Sequence, residues 1–155
     1  MNFTIRVAEK TERDFKAVLR LLIDHFAKEH QMGSLSANNK FSLEKVVSEI
    51  AIAIGCKTWI VEDLTGGIIG SLGLKLTQPW YSTQSYYGDL WFYVLPEWRN
   101  SRVGQALIKE VKQFASGIDS PVLLGIYNMD DTERKLKLLQ KSGLKLVGGT
   151  FLVGA

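Results

Sequence analysis

Residues 89–117 read DLWFYVLPEWRNSRVGQALIKEVKQFASG, which is a strand, a turn and a helix in one stretch. Residues 90–95 form an unbroken aromatic and aliphatic run, the pattern of a strand buried on both faces. Pro96 ends it, because a residue without an amide hydrogen cannot extend the ladder. From Val103 onward Val103, Ala106, Leu107, Val111, Phe114 and Ala115 share one helical face, with Lys109, Glu110, Lys112 and Gln113 mostly off it. Gly117 reads as the residue that closes this helix. Between strand and helix, the turn from Arg99 to Gly104 offers unpaired amides, the positive end of a helix dipole and two guanidinium groups. That is a place for an anion.

On the N-terminal side, Phe3, Ile5 and Val7 alternate with Thr4, Arg6 and Ala8 as a strand with one buried face. Thr11 caps a helix whose stripe is Phe15, Val18, Leu19, Leu22, Ile23 and Phe26, with Arg13, Lys16, Arg20 and Asp24 outward. The helix is expected to fray at residues 31–33, ahead of a polar loop over residues 33–40 (GSLSANNK). Ser42 starts a second helix, with Leu43, Val46, Val47, Ile50, Ala51 and Ile54 inward and Gly55 as its stop. Residues 58–62 and 68–77 flank Asp63-Leu64-Thr65-Gly66-Gly67 as an antiparallel hairpin. Gly70 and Gly73 predict a bulge or a close backbone approach in its second strand. Residues 78–87 (QPWYSTQSYY) are a polar, aromatic connection.

On the C-terminal side, residues 122–126 (VLLGI) read as a strand, and a strand, helix, strand order makes it parallel to the one at 90–95. Thr132 caps a last helix with Leu136 and Leu139 inward and Gly143 at its end. Residues 144–147 and 150–153 are expected as short strands, and no internal repeat is present.

With 155 residues, 46% of them hydrophobic, the chain suits one domain spanning residues 1–155. Its single Cys56 excludes an intrachain disulfide and a cysteine zinc site, is expected as buried packing, and points to a reducing, cytoplasmic setting. No targeting segment and no run near the ~20 apolar residues of a membrane span is seen, so no membrane partner is expected. A net charge of +3 fits an anionic ligand and is too weak to indicate nucleic acid, even with Trp80, Trp91 and Trp98 available for stacking. His25 and Glu29 stand four apart with His30 following, and without a third ligand nearby no metal site is expected.

The element order, a mixed sheet with a strand–helix–strand unit in its second half, places the Arg99–Gly104 turn at the carboxyl end of a strand, where open α/β sheets bind ligands. Here the chain resembles the GNAT superfamily of acyl-CoA-dependent N-acyltransferases, in particular its phage-type members. The resemblance rests on residues 94–107 (VLPEWRNSRVGQAL), set against a strand, Pro-Glu, then Arg/Gln-x-x-Gly-x-Gly/Ala opening a helix. Residues 139–144 (LQKSGL) are similar to the family's Tyr-x-x-x-Gly-Phe ending. The chain departs from the family twice: Arg102 stands at the first glycine, and Leu139 replaces a tyrosine that often protonates the leaving thiolate.

The resemblance implies an α/β (α+β) fold with a mixed, mostly antiparallel sheet of six to seven strands and four helices, its central strands parallel and splayed. It implies acetyl-CoA as cofactor, held by Tyr93, Val94 and Leu95 on the strand, by Arg99, Asn100, Ser101, Arg102, Val103, Gly104 and Gln105 on the turn and helix start, and by Asn128 and Thr132. A backbone N–H near Val94 or Leu95 would stabilise the oxyanion. Asp89 is the candidate base, and Tyr81, Tyr86, Tyr87 and Tyr127 are candidates for shaping the pocket or relaying a proton. His25, Glu29 and Tyr81 are candidate contacts to the amine acceptor. Arg134, Lys135 and Lys137 are either phosphate contacts or a solvated face. The expected reaction is acetyl transfer to a primary amine of a small molecule or protein. The rival is an inactive acyl-CoA-binding or virion-associated module of the same fold. An open edge at the late strands leaves room for a homodimer.

Overall fold

The computed structural model describes residues 2–30, 41–126, 132–149 and 151. Strand β1 (Phe3–Val7) leads into helix α1 (Glu12–Leu21), which runs on through a π-helical segment (Leu22–Ala27) and a last turn (Lys28–His30). Helix α2 (Leu43–Cys56) passes directly into β2 (Lys57–Asp63), which pairs with β3 (Ile68–Thr77) and is followed by β4 (Tyr86–Val94). A 3-10 turn (Pro96–Trp98), α3 (Val103–Ser116), β5 (Val122–Leu123) and α4 (Thr132–Lys141) complete the order. The sheet runs β1-β2-β3-β4-β5, antiparallel until β5, which lies parallel to β4.

The local chemistry behind these elements is direct. Thr11 Oγ1 accepts the Asp14 amide at 3.2 Å and Ser42 Oγ the Lys45 amide at 3.2 Å, so both early helices start on side-chain caps. The buried Asp14 also takes both terminal nitrogens of Arg6, at 2.7 and 2.8 Å, and fastens α1 to β1. Asp63 Oδ1 accepts the amides of Thr65 (2.8 Å) and Gly67 (3.0 Å) across the hairpin turn, where Gly66 holds φ +82°.

Helices cover both sheet faces. Trp59 and Val61 join Leu72 and Leu74 to Val103, Leu107 and Val111 of α3, while the alternate residue Ile60 joins Val18, Ile50 and Ala53 of the two early helices. Gly73 is the close approach expected from the sequence: a Cβ there would sit 2.4 Å from Trp91 Cζ2. The indole uses that space to donate from Nε1 to Ser71 Oγ at 2.9 Å, and Ser71 donates to the Trp59 carbonyl at 2.8 Å. The expected bulge in β3 is also present: Val61 pairs with Gly70 and Glu62 with Ile68, so Ile69 is an extra residue on β3. A second irregularity lies on β4. Gly73 pairs with Trp91 and Leu74 with Asp89, so Leu90 is an extra residue on β4.

Several boundaries differ from expectation. Strand β4 begins at Tyr86, drawing Tyr86 and Tyr87 out of the connection, and the bulged Leu90 is exposed where a two-sided burial was expected. Strand β5 stops at Leu123, and residues 144–149 form no strand, with Leu146 and Val147 exposed, so the described residues hold five strands where six to seven were expected. The expected strand at 150–153 and the fraying and loop at 31–40 fall on residues outside the described ones, residue 151 excepted. Helix α2 continues through Gly55 to Cys56, which is exposed. Val7 and Ala51 face solvent, while Ala53 and Ile108 are buried in their helices' cores. Gly117 closes α3 as expected, but at φ −100° and not in the left-handed conformation. Gly143 is a left-handed cap: at φ +85° it lets Leu144 donate to the Leu139 carbonyl (3.1 Å) and itself donates to that of Gln140 (2.9 Å). Thr132 is the first helical residue of α4, one place inside the cap position.

Candidate active site

Strands β4 and β5 pair only at Tyr87–Val122 and Gly88–Leu123. At the next residue the ladder gives way to a side chain: Asp89 Oδ1 accepts the Gly125 amide at 2.8 Å. Beyond this point no further ladder pair forms. A cleft of about 280 Å³ lies beside the last paired residues, lined by Lys75 and Thr77 of β3, Tyr86 and Asp89 of β4, and Leu124 and Gly125 among others. Lys75 is held by Glu49 at 3.1 Å on α2. Burial pushes the Asp89 carboxyl up to about 6, partly opposed by the Gly125 N–H that favours its charged form. A carboxylate titrating there is ionised at neutral pH and basic enough to take a proton.

The turn after β4 is built by short-range bonds. Trp98 donates to the Leu95 carbonyl (2.9 Å), Arg99 to that of Pro96 (3.2 Å) and Ser101 to that of Trp98 (3.1 Å). Ser101 Oγ donates to the Trp98 carbonyl and accepts the Val103 amide at 3.3 Å. Helix α3 then starts differently from α1 and α2. Its cap residue Arg102 has φ −84° and ψ 9°, makes no side-chain cap, and no acidic residue lies in the first turn. With Val103 N–H on Ser101, the amides of Gly104 and Gln105 are those for which the helix itself supplies no acceptor. The Arg102 side chain is exposed. At Gly104 a Cβ would make an ordinary contact with Leu138 Cδ2 of α4 at 3.5 Å, so this start of α3 faces α4.

Arg99 points away from these amides. Its Nη1 and Nη2 donate to the two carboxylate oxygens of Glu29, each at 2.6 Å, and its Nε donates to the Val94 carbonyl at 3.0 Å. Tyr93 adds its hydroxyl to Glu29 Oε2 at 2.6 Å, under the Arg99 guanidinium 5.4 Å above its ring, and Phe26 meets the same ring edge-on at 5.7 Å. Burial and the neighbouring carboxylate hold the Tyr93 hydroxyl far above its usual titration range, so it acts as a donor. Residues that the sequence reading assigned to different ligands, Glu29 to the acceptor and Arg99 to the coenzyme, are thus one cluster. The Leu95 amide donates to the Ile69 carbonyl at 2.9 Å, which corrects its expected role as an oxyanion donor: its one hydrogen is committed to β3.

The remaining candidates spread around this centre. Asn100 Oδ1 accepts Arg134 Nη2 at 3.3 Å, joining the turn to α4. Gln105 and Thr132 are exposed near the starts of α3 and α4, and His25 is exposed on the π-helical segment. Tyr81 is exposed and meets Trp80 edge-on at 5.6 Å, on a loop whose ends Thr77 and Tyr86 line the Asp89 cleft. Asn128 and Tyr127 lie outside the described residues. Lys75 and Gly125 are not singled out by the sequence, and only Gly73, two residues before Lys75, hints at an irregular pairing beside them. A larger open groove of about 580 Å³ between α3 and the end of α4 is bordered by Lys109, Lys112 and Lys141 and has no carboxylate or imidazole to act as a base. Among the described residues no group of three His, Cys, Asp or Glu could hold a metal, and no helix is long and apolar enough to cross a membrane.

The architecture has many counterparts among solved structures. A Trypanosoma brucei acetyltransferase matches with TM-score 0.64 at 21% identity, over 99% of this chain and 100% of that one. Glucosamine-6-phosphate N-acetyltransferase from Arabidopsis thaliana matches with TM-score 0.65 at 14% identity, over 97% of each chain. Another Arabidopsis thaliana protein, solved in complex with the bisubstrate analogue CoA-Ac-MVNAL, matches with TM-score 0.66 at 14% identity, over 93% of this chain and 85% of that one. No curated protein sequence matches the chain. A family model described as an acetyltransferase (GNAT) domain matches residues 55–143, more than half of the chain, from the end of α2 through the hairpin, the parted strands and the uncapped helix to Gly143. The chain therefore belongs to the GNAT acetyltransferase family.

Proposed function

We propose that the chain is an N-acetyltransferase that carries an acetyl group from acetyl-CoA to a primary amine of a small molecule or protein, acting as one domain in the cytoplasm. The observation that carries this reading is the parting of β4 and β5 at Asp89, on the strand that leads through the turn into a helix whose cap residue makes no side-chain bond and whose first turn holds no acid. These features fit the coenzyme. Acetyl-CoA, when bound, supplies the acetyl group as a thioester. The amides of Gly104 and Gln105 and the positive end of α3 hold its diphosphate, with Arg102 free to swing in from solvent. The edge of β4 left open by β5 offers backbone groups to an extended arm.

Asp89 takes the proton of the acceptor amine. Its Oδ1 is oriented by Gly125, which leaves Oδ2 to meet the amine or a bridging water. Leu139 has no hydroxyl to return a proton to the leaving thiolate, and water serves there. Release of free thiol from acetyl-CoA, followed over a panel of primary amines, tests the assignment. Turnover with at least one amine, lost in Asp89→Asn, is the expected result. Coenzyme binding with no release from any amine would instead favour an inactive acyl-CoA-binding module.

A further inference from the structure

The cluster of Glu29, Arg99 and Tyr93 joins two parts of the molecule that are 70 residues apart in sequence. Glu29 stands on the last turn of the first helical run, directly after the π-helical segment Leu22–Ala27. In an unbroken α-helix, Glu29 would share a face with Leu22, seven residues earlier, and Leu22 is buried in the core. A residue in a π-helix turns less than one in an α-helix, so six such residues slip that face round. The slip brings the carboxylate to the rim of the sheet, where Arg99 waits. The far side of the contact is equally constrained. Arg99 Nε on the Val94 carbonyl pins the place where β4 leaves the sheet, and Arg99 itself stands on the turn that leads into α3. Two parallel N–H···O bonds to a carboxylate fix orientation as well as distance.

We propose that Glu29, acting through Arg99, is a positioning residue that makes the end of the first helical run and the diphosphate turn move as one body, so that occupancy of the turn is felt at residues 22–30. The tie rests on the coenzyme reading given above and adds to it a direction of communication, from the coenzyme turn to the helix end that carries Phe26 and Glu29. Ordering the turn orders Arg99, Arg99 orders Glu29, and the π-helical segment, with its poorer hydrogen-bond geometry, is the part with most to gain. Arg99 is therefore a brace, with its fork spent on a protein carboxylate.

Hydrogen exchange of the full-length protein, with and without coenzyme A, reads this directly. In the wild type, coenzyme A should slow exchange at residues 99–105 and also at residues 22–30, the second by about fivefold or more. In Glu29→Gln, and separately in Arg99→Lys, which keeps a charge but loses the fork, protection should remain at 99–105 and vanish at 22–30. Glu12→Gln, which breaks the exposed Glu12–Lys16 pair at the start of the same helix, should leave the pattern of the wild type intact. Protection confined to 99–105 in the wild type, or protection at 22–30 that survives in both cluster variants, overturns the tie while leaving the coenzyme reading standing. No effect of coenzyme A anywhere overturns both.

Discussion

Asp89 Oδ1 lies 2.8 Å from the amide nitrogen of Gly125, and this contact replaces the backbone ladder where β4 and β5 part. The carboxylate is therefore both a structural stop and the one acid lining the neighbouring cleft. Its two duties pull its energetics in opposite directions. Because burial raises its folded pKa to about 6, above the unfolded value of about 3.9, the folded state prefers the protonated form. The associated stability is fully present below pH 3.9 or so and is lost as pH rises through about 6, so at neutral pH the charged carboxylate is a net cost.

Asp89→Asn keeps an oxygen for the Gly125 amide and removes the charge. At pH 7.5 it should raise stability by about 2 kcal/mol and lower kcat by about 100-fold or more, measured by denaturant melts and thiol release. The wild-type kcat/KM should fall below pH 6 as Asp89 takes up its proton. A variant that is less stable yet fully active would remove Asp89 from the reaction.

Asp14 carries the opposite sign. The hydrogen-bonded Arg6 guanidinium holds its carboxyl below the usual range. Its contribution to stability is present above the unfolded pKa near 3.9 and disappears as pH falls through the lower folded value. Asp14→Asn should cost about 2–3 kcal/mol at pH 7, since it leaves Arg6 short of a partner in a mostly buried site. The cost should shrink below pH 4, where the wild type also loses the charge. Melts at pH 7 and pH 3 give the comparison.

Gly73→Ala brings a methyl group to 2.4 Å from Trp91 Cζ2 and must displace the indole, breaking its bond to Ser71. A loss of about 2–3 kcal/mol is expected, with a changed tryptophan emission spectrum. In a Trp91→Leu background the same substitution should cost much less, because the ring it would strike is gone.

How much of this was legible in the sequence depends on how local the cause is. Thr11, Ser42, the Asp63–Gly67 turn and the close approach at Gly73 are decided by a few adjacent residues, and each stands where its chemistry puts it. The turn after β4 and the start of α3 were legible for the same reason, since Pro96 and the stripe starting at Val103 are short-range signals. The length of β5 and the fate of residues 144–149 were not legible: an apolar run says that a strand is affordable to the backbone, while pairing depends on a neighbour elsewhere in the chain. Glu29 and Arg99 show the same limit at the site. Both residues were singled out, but their mutual bonds depend on a π-helical slip that leaves no mark in the apolar spacing of the first helix.

The central claim is that the amides opening α3 hold the coenzyme's diphosphate. Arg102→Asp tests it because the two effects of the substitution have opposite signs. An acidic residue beside an uncapped helix start should stabilise the fold by about 0.5–1 kcal/mol. The same charge should repel a diphosphate placed on those amides. Titration of acetyl-CoA into the wild type and Arg102→Asp should therefore show affinity reduced by about tenfold or more in a protein that melts no lower than the wild type. Equal affinity in the two proteins would contradict the account.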